Sequence, residues 1–141
     1  MKAIGTFEIA AFDPTDLVPQ PPIVTGMPVG VSTMTKAYAG EIEGISATLF
    51  TAAFDMSTGA GTYFAMESFE GALNGRAGTF NFVHSATTGG TDRTHEFFHI
   101  VPGSGTGELT GITGTGALYV DAEGGHNIWF EYELGQSSNS V

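Results

Sequence analysis

A chain of 141 residues with four basic against fifteen acidic side chains, net charge −11, is sized for one domain with its own core. Its charge would be repelled by nucleic-acid phosphates and by anionic membrane surfaces. It has no cysteine, which excludes disulfides and cysteine-based zinc sites, and its 21 glycines, scattered among threonines and aromatic residues, favour strands and turns over helices.

Residues 2–13 alternate as a first strand, with Phe7 and Ile9 on one side and Glu8 on the other. The amino-terminal residues lack a signal-peptide apolar core and no apolar run approaches a membrane span, so a cytoplasmic location is expected. Residues 14–30 hold five prolines and two glycines and predict an irregular crossing segment or lid. A second strand is expected over 32–44, with Met34, Lys36, Tyr38, Gly40 and Ile42 on one face. A bend near Glu43-Gly44 leads to a third strand over 45–55, and a turn at 57–61 to a fourth over 62–73. Asn74-Gly75 is the strongest hairpin signal in the chain. As a two-residue turn it pairs Glu67 with Phe82, Phe69 with Phe80 and Ala65 with His84. Glu67 then lies diagonal to His84 on one face, about 5–8 Å away. A longer loop through Arg76-Ala77-Gly78 would shift the register and turn this set to the other face.

The stretch from Thr79 to Val101 carries three of the four histidines and four of the eleven phenylalanines. A two-residue turn at Gly89-Gly90 would set His84 opposite His95, Phe82 opposite Phe97 and Phe80 opposite His99, all on one face. His95-Glu-Phe-Phe-His99 matches the zinc-protease pattern H-E-x-x-H, which needs a helix to bring both imidazoles to one metal. Between Gly89-Gly90 and Pro102-Gly103, with Ile100-Val101 ahead of the proline, a strand is the expectation, and its two histidines stand about 13 Å apart. Glycines at 103, 105 and 107 suggest a phosphate loop only weakly, since no lysine sits in the loop and no βαβ unit surrounds it. A glycine-rich turn closing a barrel end is the plainer reading. Strands over 117–122 and 127–134 follow, and residues 136–141 are expected to fray. Trp129 falls on the opposite face from Ile128, Phe130 and Tyr132, where it would mark a subunit contact. About eight consecutive antiparallel strands in residues 1–141 predict a single all-β domain, an up-and-down barrel with room for packed side chains or one small ligand.

Four phrases carry a family resemblance: Lys36-Ala-Tyr-Ala-Gly-Glu-Ile-Glu-Gly44, the Glu67 strand, Gly71-Ala-Leu-Asn-Gly-Arg-Ala-Gly-Thr-Phe80 through His84, and Val101-Pro-Gly-Ser-Gly-Thr-Gly-Glu-Leu109. Over nearly the whole chain they resemble a bacterial family of unknown function, number thirty-two twenty-four in its series. The matching positions are Lys36, Gly40, Glu43, Glu67, Gly75, Gly78, Phe80, His84, Gly103, Gly105, Gly107 and Tyr132. The resemblance implies a barrel similar to that of plant allene oxide cyclase, within the lipocalin-like group. It implies no activity, and His95 and His99 are not part of the family pattern.

The expected function is binding of a small, largely apolar molecule in the barrel lumen, by Lys36, Tyr38, Tyr63, Glu67, Phe80, Phe82, His84, Phe97 and Tyr132. An isomerase- or cyclase-type enzyme with Glu67 and His84 as acid and base is the alternative. A metal site on His84 and His95, two ligands that would need a third from Glu67 or another chain, is the weaker third. The plain structural alternatives stay open: a satisfied Glu67–His84 pair that only holds the barrel, and an aromatic stripe that is only core. No cofactor is implied. The expected partners are a small-molecule ligand and further copies of the chain, and neither nucleic acid nor membrane.

Overall fold

The computed structural model describes residues 1–135; the polar tail over 136–141 lies outside the described residues. Alternation of apolar and polar side chains produces eight strands: β1 (Lys2–Pro14), β2 (Val29–Gly40), β3 (Ile42–Asp55), β4 (Ala60–Leu73), β5 (Arg76–Thr88), β6 (Thr94–Ile100), β7 (Thr113–Val120) and β8 (His126–Glu133). They form one antiparallel sheet in the order β6-β5-β4-β3-β2-β1-β8-β7. β1 pairs with both β2 and β8, so the sheet curls into a nearly closed barrel. Its seam lies between β6 and β7, where the Thr115 hydroxyl donates to the Phe98 carbonyl at 2.8 Å. No helix among the described residues is long and apolar enough to cross a membrane.

Two sequence signals fix the far end of the barrel. Asn74 and Gly75 both take left-handed backbone conformations (φ 50° and 84°), as a two-residue hairpin turn between twisted strands requires. The β4–β5 register is therefore the expected one, with Glu67 opposite Phe82 and Ala65 opposite His84. The β2–β3 turn sits at Gly40-Glu41 rather than at Glu43-Gly44, because Gly44 is already paired. Gly44 and Gly71 face each other across β3–β4 so closely that a Cβ on Gly71 would lie 2.0 Å from the Glu43 carbonyl oxygen. The glycine-rich connection after β6 folds under the same end. A short 3-10 helix (Gly107–Leu109) sends Leu109, together with the nearby Ile112, into the core, and both are fully buried. The core packs Ala3, Ile42, Phe69, Leu73, Phe80, Phe82, Phe130 and Tyr132 behind them.

The β5–β6 hairpin departs from the expectation. Gly89 and Gly90 belong to a five-residue loop, 89–93, in which the Asp92 carboxylate accepts from the Gly89 N–H. Beyond it β6 bulges at His95, a non-glycine residue at φ 52°. Together these displace the register, so that His84 faces Phe98 and Phe82 faces Ile100. Phe98 and Ile100 point inward; Phe97 is half exposed on the outer wall, and His95 and His99 are exposed. The segment over 14–30 does not cross the barrel. It is an exposed excursion from the tip of the β1–β2 hairpin, whose ladder runs to Pro14–Ser32.

Candidate functional site

The barrel is filled at one end and hollow at the other. Short residues on inward positions, Thr48 opposite Glu67 and Ala65 and Ala86 toward the β3–β4 and β5–β6 turns, leave a cavity of about 530 Å³. Its wall is aromatic and aliphatic, with Phe7, Phe12, Met34, Phe50, Phe54 and Leu118. Lys36, Thr48, Tyr63 and His84 supply polar groups, and Arg93 from the 89–93 loop stands at the mouth. Phe50 stacks on Tyr63 with centroids 5.0 Å apart and Phe12 meets Phe50 edge-on at 5.3 Å, which fixes these rings against one another.

Beneath the cavity lies a buried polar cluster centred on Glu67, which is fully inaccessible. Its Oε2 accepts from Lys36 Nζ at 2.5 Å and from His84 Nε2 at 2.6 Å. Its Oε1 accepts from Tyr38 Oη at 2.6 Å and from Ser46 Oγ at 2.8 Å. Burial alone would raise the carboxyl's pKa, but the His84 hydrogen bond and the Lys36 charge outweigh it and hold it at about 2. Burial lowers His84 from its ordinary value despite the carboxylate beside it. At neutral pH the imidazole is therefore uncharged, and Lys36 is the cation that balances Glu67. Tyr38 is pushed well above its usual range by burial and by the neighbouring carboxylate, which keeps its hydroxyl a donor.

The proton positions then follow in one direction. An ionised carboxylate only accepts, so His84 donates through Nε2 and its neutral ring accepts at Nδ1. Tyr63 Oη stands 2.8 Å from that nitrogen and donates to it. Arg93, which has no acceptor, donates from Nη2 to Tyr63 Oη at 3.0 Å and from Nε to Glu96 at 3.1 Å. The chain of hydrogen bonds Arg93 to Tyr63 to His84 to Glu67 links the mouth of the cavity to the barrel centre.

The residues singled out in the sequence divide between these layers. Lys36, Tyr63 and His84 line the cavity. Glu67 and Tyr38 lie behind it, and Glu67 has its four acceptor sites occupied, so it cannot serve as a base toward a molecule in the cavity. Phe80, Phe82 and Tyr132 are packed core at the filled end; Tyr132 Oη accepts from Asn74 at 2.8 Å. Phe97 is outside because of the shifted register. The same shift separates His84 from His95, so these two cannot share a metal ion. Among the described residues no three His, Cys, Asp or Glu side chains cluster as metal ligands. Thr48, Ser46 and Arg93 were not legible as partners of the site. The first two depend on the β3–β4 register, and Arg93 depends on a loop whose path no turn signal fixes.

The family profile described as "Protein of unknown function (DUF3224)" matches residues 3–132. The chain belongs to the DUF3224 family. A crystal structure of a DUF3224 protein of unknown function from Shewanella oneidensis MR-1 is similar to it at 28% identity, with a TM-score of 0.83, over 97% of this chain and 98% of that one. A comparison with curated proteins finds no match. The family resemblance read from the glycine phrases and the Glu67 strand is thus borne out, and so is the barrel. DUF3224 membership carries no reaction, so the chemistry of the site rests on its geometry.

Proposed function

We propose that this DUF3224 protein binds a small, largely apolar molecule in the hollow end of its barrel. The observation that carries the proposal is the cavity itself, about 530 Å³ with a predominantly apolar lining and a few convergent polar groups. A structural barrel would fill this space as the far end is filled. The isomerase or cyclase alternative loses its base, since Glu67 is saturated and sealed off from the cavity. A barrel similar to that of allene oxide cyclase, as the family resemblance implies, would then be an architecture without its reaction.

Nile red, a neutral dye that brightens in apolar surroundings, tests the reading. The native chain should bind it one to one, and Ala86→Trp, which fills the cavity from β5, should abolish binding while leaving the far-ultraviolet circular dichroism intact. No binding by the native chain, or equal binding by the folded variant, would refute it.

Homo-oligomerisation belongs to the same proposal. The outer face of β3–β6 exposes Leu49, Phe64, Met66 and Phe97 without an acidic residue among them, in a chain of net charge −11. An uncharged patch is where two such acidic surfaces could meet. Trp129 is a poorer contact, half-buried with Lys2 Nζ 4.9 Å from its ring centre. Sedimentation of native and Phe64→Ser chains should show a dimer lost in the variant. A cytoplasmic location fits the same soluble-barrel reading and would be checked by fractionating cells that express the chain.

A further inference from the structure

The cavity's polar groups are not all satisfied. Lys36 is 5% exposed, yet its ammonium group makes one hydrogen bond among the described residues, to Glu67, and otherwise lies 4.5 Å from the centre of the Phe7 ring. Two of its three N–H groups are without a hydrogen-bond partner. Thr48, 3% exposed and directly opposite Glu67 in the β3–β4 ladder, has a hydroxyl with no partner among the described residues. One rotamer step about χ1 exchanges its hydroxyl and methyl positions. Both residues line the cavity. Buried donors left unpaired are costly, and an acceptor arriving in the cavity would relieve that cost.

The charges limit which acceptor that is. Each cation of the site already has its anion: Lys36 has Glu67 at 2.5 Å, and Arg93 has Glu96 at 3.1 Å. His84 is neutral, and Asp92 adds a negative charge at the mouth. A carboxylate head beside Lys36 would put a second anion next to Glu67 against a mostly apolar wall, with no further cation to offset it. A carbonyl oxygen would take the free Lys36 and Thr48 donors without that penalty.

Resting on the cavity reading above, we propose that the occupant is an apolar molecule bearing one neutral carbonyl-type acceptor, received by Lys36 and Thr48, and that its carboxylate counterpart is rejected. Tyr63 and His84 have their protons committed to each other and to Glu67, so they orient Lys36 and the wall rather than meet the ligand head.

Three probes of matched shape decide it: 2-acetylnaphthalene, 2-ethylnaphthalene and 2-naphthoate, titrated into the native chain at pH 7.5 by calorimetry. The ketone should bind about tenfold tighter than either of the others, the range of one hydrogen bond from a charged donor. Thr48→Val keeps side-chain shape and should lose part of this preference, and Lys36→Met should abolish it. Ketone and hydrocarbon binding equally would overturn the proposed head group while leaving the cavity reading intact. Naphthoate binding tightest would overturn the charge argument. Failure of all three probes and of Nile red would overturn both readings. Native-like preference in the folded Thr48→Val and Lys36→Met chains would overturn the assignment of the donors.

Discussion

Glu67→Gln keeps the shape of the buried side chain and removes its charge. The amide would turn its oxygen toward the Oε2 position, because Lys36 and His84 there only donate, while the Tyr38 and Ser46 hydroxyls at the other position can rotate to accept. The hydrogen-bond count is then nearly preserved, and the loss is the anion that balances Lys36. Two routes give its size. The carboxyl is held at about 2 against an ordinary 4.5, and at 1.36 kcal/mol per unit this is about 3 kcal/mol. Removing one partner of a buried ion pair costs about 3–5 kcal/mol, since the other charge is left uncompensated. Thermal denaturation should show a Tm lower by about 10 °C. The sharper measurement is the double variant: Lys36→Met in the Glu67→Gln background removes the stranded cation and should recover stability relative to Glu67→Gln alone. A Glu67→Gln chain within 1 kcal/mol of native on the scale of such effects, or a double variant whose losses simply add, would refute the picture of a buried pair balanced by charge.

Acid should unfold the protein in two overlapping stages. His84 is depressed below 6.5, so its contribution is complete above that value and declines as pH falls below it; Glu67 contributes fully above 4.5 and is lost as pH falls toward about 2. Urea midpoints taken from pH 7 downward should decline first below about 6.5 and more steeply below about 4.5, and the second decline should be shallower in Glu67→Gln. The β5–β6 register is tested by contrast: Ile100→Ala should cost about 3 kcal/mol and Phe97→Ser less than about 0.5 kcal/mol, measured by urea denaturation, with the reverse order restoring the two-residue turn. Gly71→Ala puts a Cβ 2.0 Å from the Glu43 carbonyl oxygen and should cost about 3 kcal/mol or yield insoluble chains, whereas Gly59→Ala, where nothing lies within 4 Å, should cost far less despite its φ of 76°.

The two hairpins show what sequence could and could not supply. Asn74-Gly75 is a self-sufficient signal: two residues that tolerate left-handed backbone join two alternating strands, and local geometry alone sets the register that brings Glu67 toward His84. Gly89-Gly90 is similar on paper. Its outcome depends on Asp92, two residues on, holding the Gly89 N–H, and on a bulge at His95, and neither is encoded in the dipeptide. The resulting shift sends every β6 side chain to the opposite wall from the one expected, so a correct strand carried a wrong face. Arg93 was invisible for the same reason. The division of the barrel was invisible too, because inward residues at both ends share one alternation, and only the register shows that Phe80, Phe82 and Phe130 crowd one level while Thr48, Ala65 and Ala86 line another.

That division gives the buried cluster its place. A salt bridge in a barrel centre is weak evidence for stability, since apolar residues of equal volume would often do as well. Lys36, Glu67 and His84 sit at the level where the packed aromatic core ends and the hollow begins. An apolar layer there would have no reason to keep its side chains out of the empty space above it. Four donors converging on one carboxylate hold Lys36, Tyr38, Ser46 and His84 at fixed positions, and through His84 they fix Tyr63 and Arg93 as well. The cluster thus acts as a rigid floor. Its directional bonds resist the collapse that non-directional apolar contacts would favour, and keep the cavity at a volume a ligand can enter.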